Sequence, residues 1–461
     1  MNFPFFNHAA KPVIRERSEH CISRSDIDPD ALKVLYRLSG EGYIAYLVGG
    51  GVRDLLLGRK PKDFDVGTNA TPREIKRIFR NCFLIGRRFR LAHILFGRNI
   101  IETSTFRRRP DPTPVPSEYG MCQMDDNTFG TPEEDANRRD FTVNGLFYDI
   151  KTFSVIDYVG GLKDLEKRVL RSIGDPEVRF CEDPVRMMRA VKFASRLEFT
   201  IERGTLKAIK KYHSEILKAS IPRLYEELTR LFSFRSAERA FRMMWSLGLL
   251  SDLLPELSED ISRNGGEQAD VWKYLRALDN DPESDSASNA VRIACLYQSK
   301  WMREVGDGES RPRFSVRTQS VLREVVLQMN MPRTALQSAV CVLESGCRFQ
   351  EPPDSSRMCK IMGGEFFAEA LMFRRVVAVA DGADTSVLEE WERAYAEFRN
   401  RHNPGGEKQG AGDGFEPWRG SGRYDENRRP RRNRRRRYGY HRSRRRDGSK
   451  SASDNAAQQD G

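Results

Sequence analysis

Two aspartates, Asp63 and Asp65, stand one residue apart, and a short way before them come three consecutive glycines, Gly49, Gly50 and Gly51. Two carboxylates this close repel each other unless a cation sits between them. Glycines let backbone N–H groups approach a bulky anion in conformations that a side chain would forbid. Hard oxygen donors beside a phosphate cradle suit Mg²⁺, which binds through one or two carboxylates plus substrate phosphates. The chemistry indicated is metal-dependent phosphoryl or nucleotidyl transfer. Asp-x-Asp alone is a weak signal: Asp26, Asp28 and Asp30 also alternate, with no glycine turn before them, and read as a solvated helix entry. Gly-Gly-Gly alone reads equally as a tight turn. The ordered combination carries the inference.

The flanking sequence supplies elements to position these groups. Residues 43–48 are an apolar strand that runs into the glycines, and residues 52–57 are a short helical run whose first N–H groups point at a bound anion. Gly58 and Pro61 turn the chain into a second strand carrying Asp63 and Asp65, so that both carboxylates leave one face. Upstream, Ala31, Leu32, Val34, Leu35 and Leu38 are near helical spacing, and Gly40 and Gly42 end that helix. Thr71 and Pro72 open another helix as cap and first residue. Residues 100–107 form a further strand, on which Glu102 is either a third carboxylate for the metal or a hydrogen-bonded strand glutamate. The run 84–94 holds Arg87, Arg88 and Arg90, which grip triphosphate or RNA phosphates or else form a basic turn. His93 reads as structural. Four prolines between 108 and 128 predict a mobile loop.

A second chemical centre follows at residues 182–193, where the pattern has become helical. Asp183, Arg186 and Arg189 fall at steps of three and are expected on one helix face. Val185, Met188, Val191 and Ala194 occupy another face and pack inside. An acceptor and forked donors on a rigid face can read the hydrogen-bonding edge of a base without a template. The alternative is an intrahelical salt-bridge ladder. Residues 240–400 are helical, with breaks near 264–266, 279–287 and 306–312, and Trp245, Trp272, Trp301 and Trp391 are core or rim residues. Residues 401–461 turn glycine-rich and then arginine-rich, with Tyr438 and Tyr440 interleaved. Such a tail cannot fold alone, but it can neutralise RNA phosphates and stack on bases.

In its glycines, Asp-Phe-Asp strand, Arg139-Asp140-Phe141-Thr142 run and Glu182-Asp183-Pro184 helix, the chain resembles the class II nucleotidyltransferases over about residues 43–234. That group holds the CCA-adding tRNA enzymes and the bacterial poly(A) polymerases, within the polymerase-beta-like superfamily. The resemblance implies an α+β fold: a nucleotidyltransferase head with a mixed sheet and helices, then all-α neck and body domains and a disordered basic tail. The expected boundaries are a flexible leader at 1–30, head at 31–166, neck at 167–239, body at 240–400 and tail at 401–461. It further implies Asp63 and Asp65 as ligands of two Mg²⁺ ions, Asp140 as an active-site acid, and Gly50, Arg53, Arg139, Asp183, Arg186 and Arg189 as nucleotide contacts. Glu182 supports Arg186, and Gly160-Gly161 is a flexible link between head and neck. Where some relatives carry an arginine this chain has Lys192, which keeps the charge and loses the fork. Residues 221–228 match the last family motif and read as scaffold. The 86–93 run resembles the poly(A) polymerase branch, so the expected activity is untemplated addition of AMP from ATP to RNA 3′ ends, promoting RNA turnover, with RNA-degradation proteins as further partners. A CCA-adding enzyme and a non-catalytic RNA-binding protein are the rival expectations.

The bulk numbers fit this reading. With 461 residues the chain is long enough for several domains, and its net charge of +12 favours a polyanionic partner. No run is apolar enough to span a membrane, and the first residues do not read as a signal peptide. The eight cysteines contain no Cys-x-x-Cys, which indicates reduced thiols in a cytoplasmic protein rather than a zinc site or disulfide framework.

Overall fold

Helix α1 (Pro29–Gly40) begins where the Asp28 carboxylate accepts hydrogen bonds from the N–H groups of Asp30 and Ala31, at 2.7 and 3.2 Å, an acidic cap on the positive end of the peptide dipoles. Its buried face, Ala31, Val34, Leu35 and Leu38, lies against the central sheet. The computed structural model describes residues 11–86, 91–109, 128–306, 316–353 and 361–402. The basic run at 87–90, the proline loop at 110–127 and the arginine tail beyond 402 lie outside the described residues.

The sheet comprises β1 (Val13–Arg15), β2 (Ala45–Val48), β3 (Asp65–Thr68), β4 (Cys82–Ile85), β5 (Leu91–Phe96), β6 (Asn99–Thr105), β7 (Leu146–Asp149) and β8 (Ser154–Asp157). Its order is β1-β8-β7-β2-β3-β6-β5-β4, with β3 and β6 parallel and the other neighbours antiparallel. Helix α2 (Gly50–Leu56) joins β2 to β3, and α3 (Pro72–Ile78) follows β3. Thr71 and Glu74 close a reciprocal capping box at the start of α3. On one side the sheet joins the main apolar core. On the other, Val48, Phe106, Phe147 and Ile156 make a smaller cluster with Ala136 of α4 (Pro132–Arg138).

Beyond the sheet the chain is mostly helical, with one short parallel strand pair, Val169–Leu170 and Thr200–Ile201: α5 (Gly161–Glu166), α6 (Pro176–Glu182), α7 (Val185–Leu197), α8 (Arg203–Tyr212) and α9 (Ile221–Arg230), then further helices. Among these, Asn289–Glu304 packs on Val271–Asn280, Arg333–Leu343 and Phe367–Asp381. Trp272 and Trp301 are buried in the main core, which runs without a break from α1 through α7 to Val377. Trp391 is buried in a separate cluster with Phe349 and Phe367.

Two expectations need correction. The leader is not loose from residue 11 onward: β1 pairs with β8 at the sheet edge, and Ile22 and Ile27 are buried. Nor is Gly160-Gly161 a flexible link. The Asp157 carboxylate accepts four backbone hydrogen bonds, from Val159, Gly160, Gly161 and Leu162, at 2.9 to 3.0 Å. A Cβ on Gly161 would overlap the Thr142 carbonyl oxygen, which belongs to backbone and cannot swing aside. Gly161→Ala is therefore expected to destabilise the fold by about 1–3 kcal/mol, read as a lower midpoint in urea. A midpoint equal to wild type would mean that the turn yields at no cost.

Candidate active site

Strand β2 ends at Gly49, whose backbone (φ 71°, ψ −131°) is costly for any residue with a side chain. A Cβ there would also lie 2.7 Å from Nη1 of Arg139. The N-cap Gly49 has no side chain to cap α2, and among the described residues no group outside the helix accepts from the N–H groups of Gly50 and Gly51, which remain donors for an anion. Because α2 has only seven residues, the glycine turn, rather than a long helix dipole, faces any anion. Gly51 lies against Asp63, whose carbonyl oxygen is 3.4 Å from an ideal Cβ on that glycine.

Asp65 opens β3, pairing with Val48, whereas Asp63 stands in the connection before the strand. The pair is thus not two residues of one strand, as the spacing suggested. Pro61 and the turn after Gly58 delay pairing until Asp65, and the loop brings Asp63 alongside. Burial pushes the half-buried Asp65 carboxyl up to about 6, the Glu102 and Asp63 charges push the same way, and Arg139 opposes them. Burial and the Asp63 charge raise Glu102 as well. Glu102 lies on β6 opposite His93, 3.5 Å from its Nε2.

Neither Asp63 nor Asp65 has a hydrogen bond or ion pair to a side chain among the described residues. Three other carboxylates of this region are arginine-paired: Asp54 to Arg53 and Arg196, Asp135 to Arg138 and Arg139, Asp140 to Arg189. A mutually repelling pair of hard oxygen donors, opposed by the Arg139 charge but bonded to no side chain among the described residues, fits a divalent cation. No group of three His, Cys, Asp or Glu side chains converges as a metal cage among the described residues, so the protein's share of such a site is the carboxylate pair.

The arginines expected at the nucleotide fall into two sets. Arg139 reaches the glycine turn, held by Asp135 Oδ2 at 2.9 and 3.1 Å with its guanidinium 5.4 Å from the Phe147 ring centroid. Arg53 is 1 % exposed, and its donors go to Asp54 Oδ1 (2.7 and 2.8 Å) and Asn144 Oδ1 (2.5 Å). It braces the turn from beneath instead of lying open at its mouth.

Asp140 likewise faces inward. Its Oδ1 accepts from Asn144 Nδ2 at 3.0 Å and the Phe141 N–H at 2.8 Å, and its Oδ2 from Arg189 Nε at 2.8 Å. Burial alone would raise this carboxyl, but the Arg189 charge and these hydrogen bonds hold it down at about 2. Burial opposes charge on Arg189, yet Asp140 and Glu227 raise its pKa. Lys192 donates to Glu227 Oε2 at 2.5 Å, and burial with the Arg189 charge lowers it to about 8 against the pull of Glu227.

Asp183 is not on the helix with Arg186 and Arg189. Pro184 bars helical backbone at the residue before it, so Asp183 is extended (φ −147°, ψ 91°) and α7 starts at Val185. Both carboxylate oxygens of Asp183 accept from Arg223 of α9, at 3.1 and 3.0 Å. Arg186 donates to Glu182 Oε2 at 3.2 Å and to the Arg179 carbonyl at 3.0 Å. Arg179, Arg223, Glu227 and Asn144 escaped the reading of single residues. Each is defined by a partner 35 to 91 positions away, although all stand within or beside the runs that drew attention.

A family model for the poly A polymerase head domain matches residues 45–171, and one for the probable RNA and SrmB-binding site of polymerase A matches residues 198–261. The CCA-adding enzyme of Lactobacillus helveticus is 36% identical over 286 residues, which are 60% of this chain and 67% of that enzyme. The chain belongs to the nucleotidyltransferase family of poly(A) polymerases and CCA-adding enzymes. Another family member, poly(A) polymerase I of Escherichia coli O6:H1, is 48% identical over 290 residues, 61% of this chain and 62% of that protein; the match thus spans somewhat under two thirds of that relative's length. Among solved family structures, the Bacillus stearothermophilus CCA-adding enzyme in complex with CTP superposes with a TM-score of 0.60 at 28% identity, covering 80% of this chain and 83% of that one. The mixed sheet followed by helices is therefore the family fold. Among the described residues no helix is long and apolar enough to cross a membrane.

Proposed function

We propose that this chain is a polynucleotide adenylyltransferase of the cytoplasm, which extends RNA 3′ ends with AMP from ATP and needs no template. The carrying observation is the Asp63–Asp65 carboxylate pair beside the glycine turn, which has no side-chain ion pair among the described residues, in a chain 48% identical over its aligned part to a poly(A) polymerase. The oxygen of the RNA 3′-hydroxyl forms the new bond to the α-phosphorus of ATP, the bond to pyrophosphate breaks, and the hydroxyl proton leaves to solvent. Two Mg²⁺ ions held by Asp63 and Asp65 would supply the acidification of that hydroxyl and the neutralisation of charge on the triphosphate. Gly50 offers its backbone to the phosphates, Arg53 supports that turn from below, and Arg139 adds a positive charge beside it. Asp183 and Arg186 read the adenine edge, Arg189 fixes Asp140 against the neck, and Lys192 holds Glu227.

The 36% identity to a CCA-adding enzyme supports the rival reading, and nucleotide choice separates the two. Purified full-length chain with Mg²⁺, an A-ended oligoribonucleotide and each nucleoside triphosphate singly is expected to add many residues from ATP and few from CTP. Strong CMP incorporation onto tRNA lacking its 3′ CCA would overturn the adenylyltransferase reading. Absence of any metal-dependent turnover would leave a non-catalytic RNA-binding protein.

A further inference from the structure

The proposed nucleotide site has two ends on different parts of the chain. The carboxylate pair, glycine turn and Arg139 belong to the sheet region, whereas Asp183 and Arg186 lie at the junction of α6 and α7. Something must fix the distance between them, since a base read correctly but offset from the reacting phosphorus is not transferred.

Arg179, on α6, makes that link. Its side chain is almost fully buried. Nη2 donates to two successive carbonyls at the end of α4, those of Arg138 (2.6 Å) and Arg139 (2.7 Å). A helix end leaves such carbonyls without intrahelical partners, and a guanidinium is suited to take two at once. Nη1 donates to Glu182 Oε2 at 2.7 Å, the oxygen that also receives Arg186 at 3.2 Å. The Arg179 carbonyl accepts a second bond from Arg186. One buried side chain therefore ties the backbone of Arg139, at the phosphate end, to the carboxylate that aims Arg186, at the base end.

We infer that Arg179 is a positioning residue for nucleotide choice, setting the register between the base-reading arginine and the phosphate end of the site. It touches no substrate and acts through Glu182 and the Arg138–Arg139 backbone. The inference rests on the adenylyltransferase reading, because it takes Asp183 and Arg186 as the adenine reader.

The test uses the full-length chain with Arg179→Lys, which keeps the charge but not the fork, and Arg179→Met, which keeps the length alone. Thermal melts are recorded with kcat/KM for ATP and for CTP on the same A-ended RNA. The expected result is a fall of about tenfold or more in the ATP-over-CTP ratio in Arg179→Lys, the range that a misaligned polar reader costs, with kcat/KM for CTP within about threefold of wild type. Glu182→Gln should lower the ratio similarly, and the double variant should be no worse than either single, as expected of residues in one link. Equal losses for both nucleotides with a lower melting temperature would make Arg179 a scaffold residue only and overturn the inference, as would an unchanged ratio. Should Arg179→Met not fold, Arg179→Lys carries the comparison. Should the wild type transfer neither nucleotide, the activity reading fails by itself, and the same ratio taken from calorimetric binding of ATP and CTP decides the role of Arg179.

Discussion

Asp63→Ala is expected to lower AMP transfer by at least about 10³-fold while RNA affinity stays within a few-fold of wild type. The magnitude follows from what the pair is asked to do. A divalent cation at a phosphoryl centre is worth several kcal/mol of transition-state charge stabilisation, and each 1.36 kcal/mol is a decade in rate. Asp63 and Asp65 are the hard donors at the glycine turn left without an arginine among the described residues, and they sit close enough for the Asp63 charge to add to the raised pKa of Asp65. With Asp63 gone, Asp65 keeps as charged neighbours the opposing Arg139 and Glu102, which lies 3.5 Å from His93 across the strands. Asp65→Ala should match it, and the double variant should add little, because ligands of one ion act as a unit. RNA affinity is spared because removing an acid beside a polyanion's path takes away repulsion rather than attraction. The measurements are single-turnover AMP incorporation and filter binding of the same RNA without nucleotide. Transfer above about a tenth of wild type in Asp63→Ala would remove this aspartate from the metal site.

Features of the site that depend on short spacing were legible in the sequence. The glycine turn, the capped start of α3 and the acidic start of α1 each place cause and consequence within four residues. The mixed sheet and the helical second half also follow from local pattern and from resemblance. Two local inferences failed for local reasons: the strand carrying Asp65 begins too late to include Asp63, and Pro184 removes Asp183 from the helix of Arg186. What escaped was long-range polar pairing. The partners of Arg53 were hidden because the sequence does not reveal that Asn144, 91 positions on, accepts from its guanidinium. Gly160-Gly161 looked flexible because nothing in a glycine pair announces that Asp157 will satisfy four successive N–H groups. β1 looked like a loose leader because a three-residue strand has no period to detect and its partner lies at the far end of the head. Buried polar partners are dictated by the packing of the elements, and a one-dimensional pattern carries little of that information.

The same hidden pairing yields the second large expectation. Asp140→Ala should destabilise the protein by about 3 kcal/mol and cut transfer by roughly two decades, since Asp140 accepts from Arg189, Asn144 and the Phe141 N–H. Removing this carboxylate leaves Arg189 with Glu227, at 3.5 Å, as its remaining ion pair among the described residues, and an arginine deprived of its main buried partner is the costly outcome. It also frees Asn144, whose amide group joins Asp140 to Arg53 under the glycine turn, so the disturbance reaches the phosphate end. pH gives an independent handle. The folded Asp140 carboxyl sits at about 2, below its ordinary 3.8. Its contribution is thus present above about pH 4 and is lost as pH falls toward 2, amounting to about 2 kcal/mol. Urea unfolding of wild type and Asp140→Asn between pH 5 and 2 should show the stability gap narrowing by that amount. Asp140→Leu combined with Arg189→Met should regain much of the stability, because both charges leave together, yet regain none of the transfer. If the paired replacement restored transfer as well, the Asp140–Arg189 bridge would be packing alone, and the tie between the helical neck and the glycine turn would need another carrier.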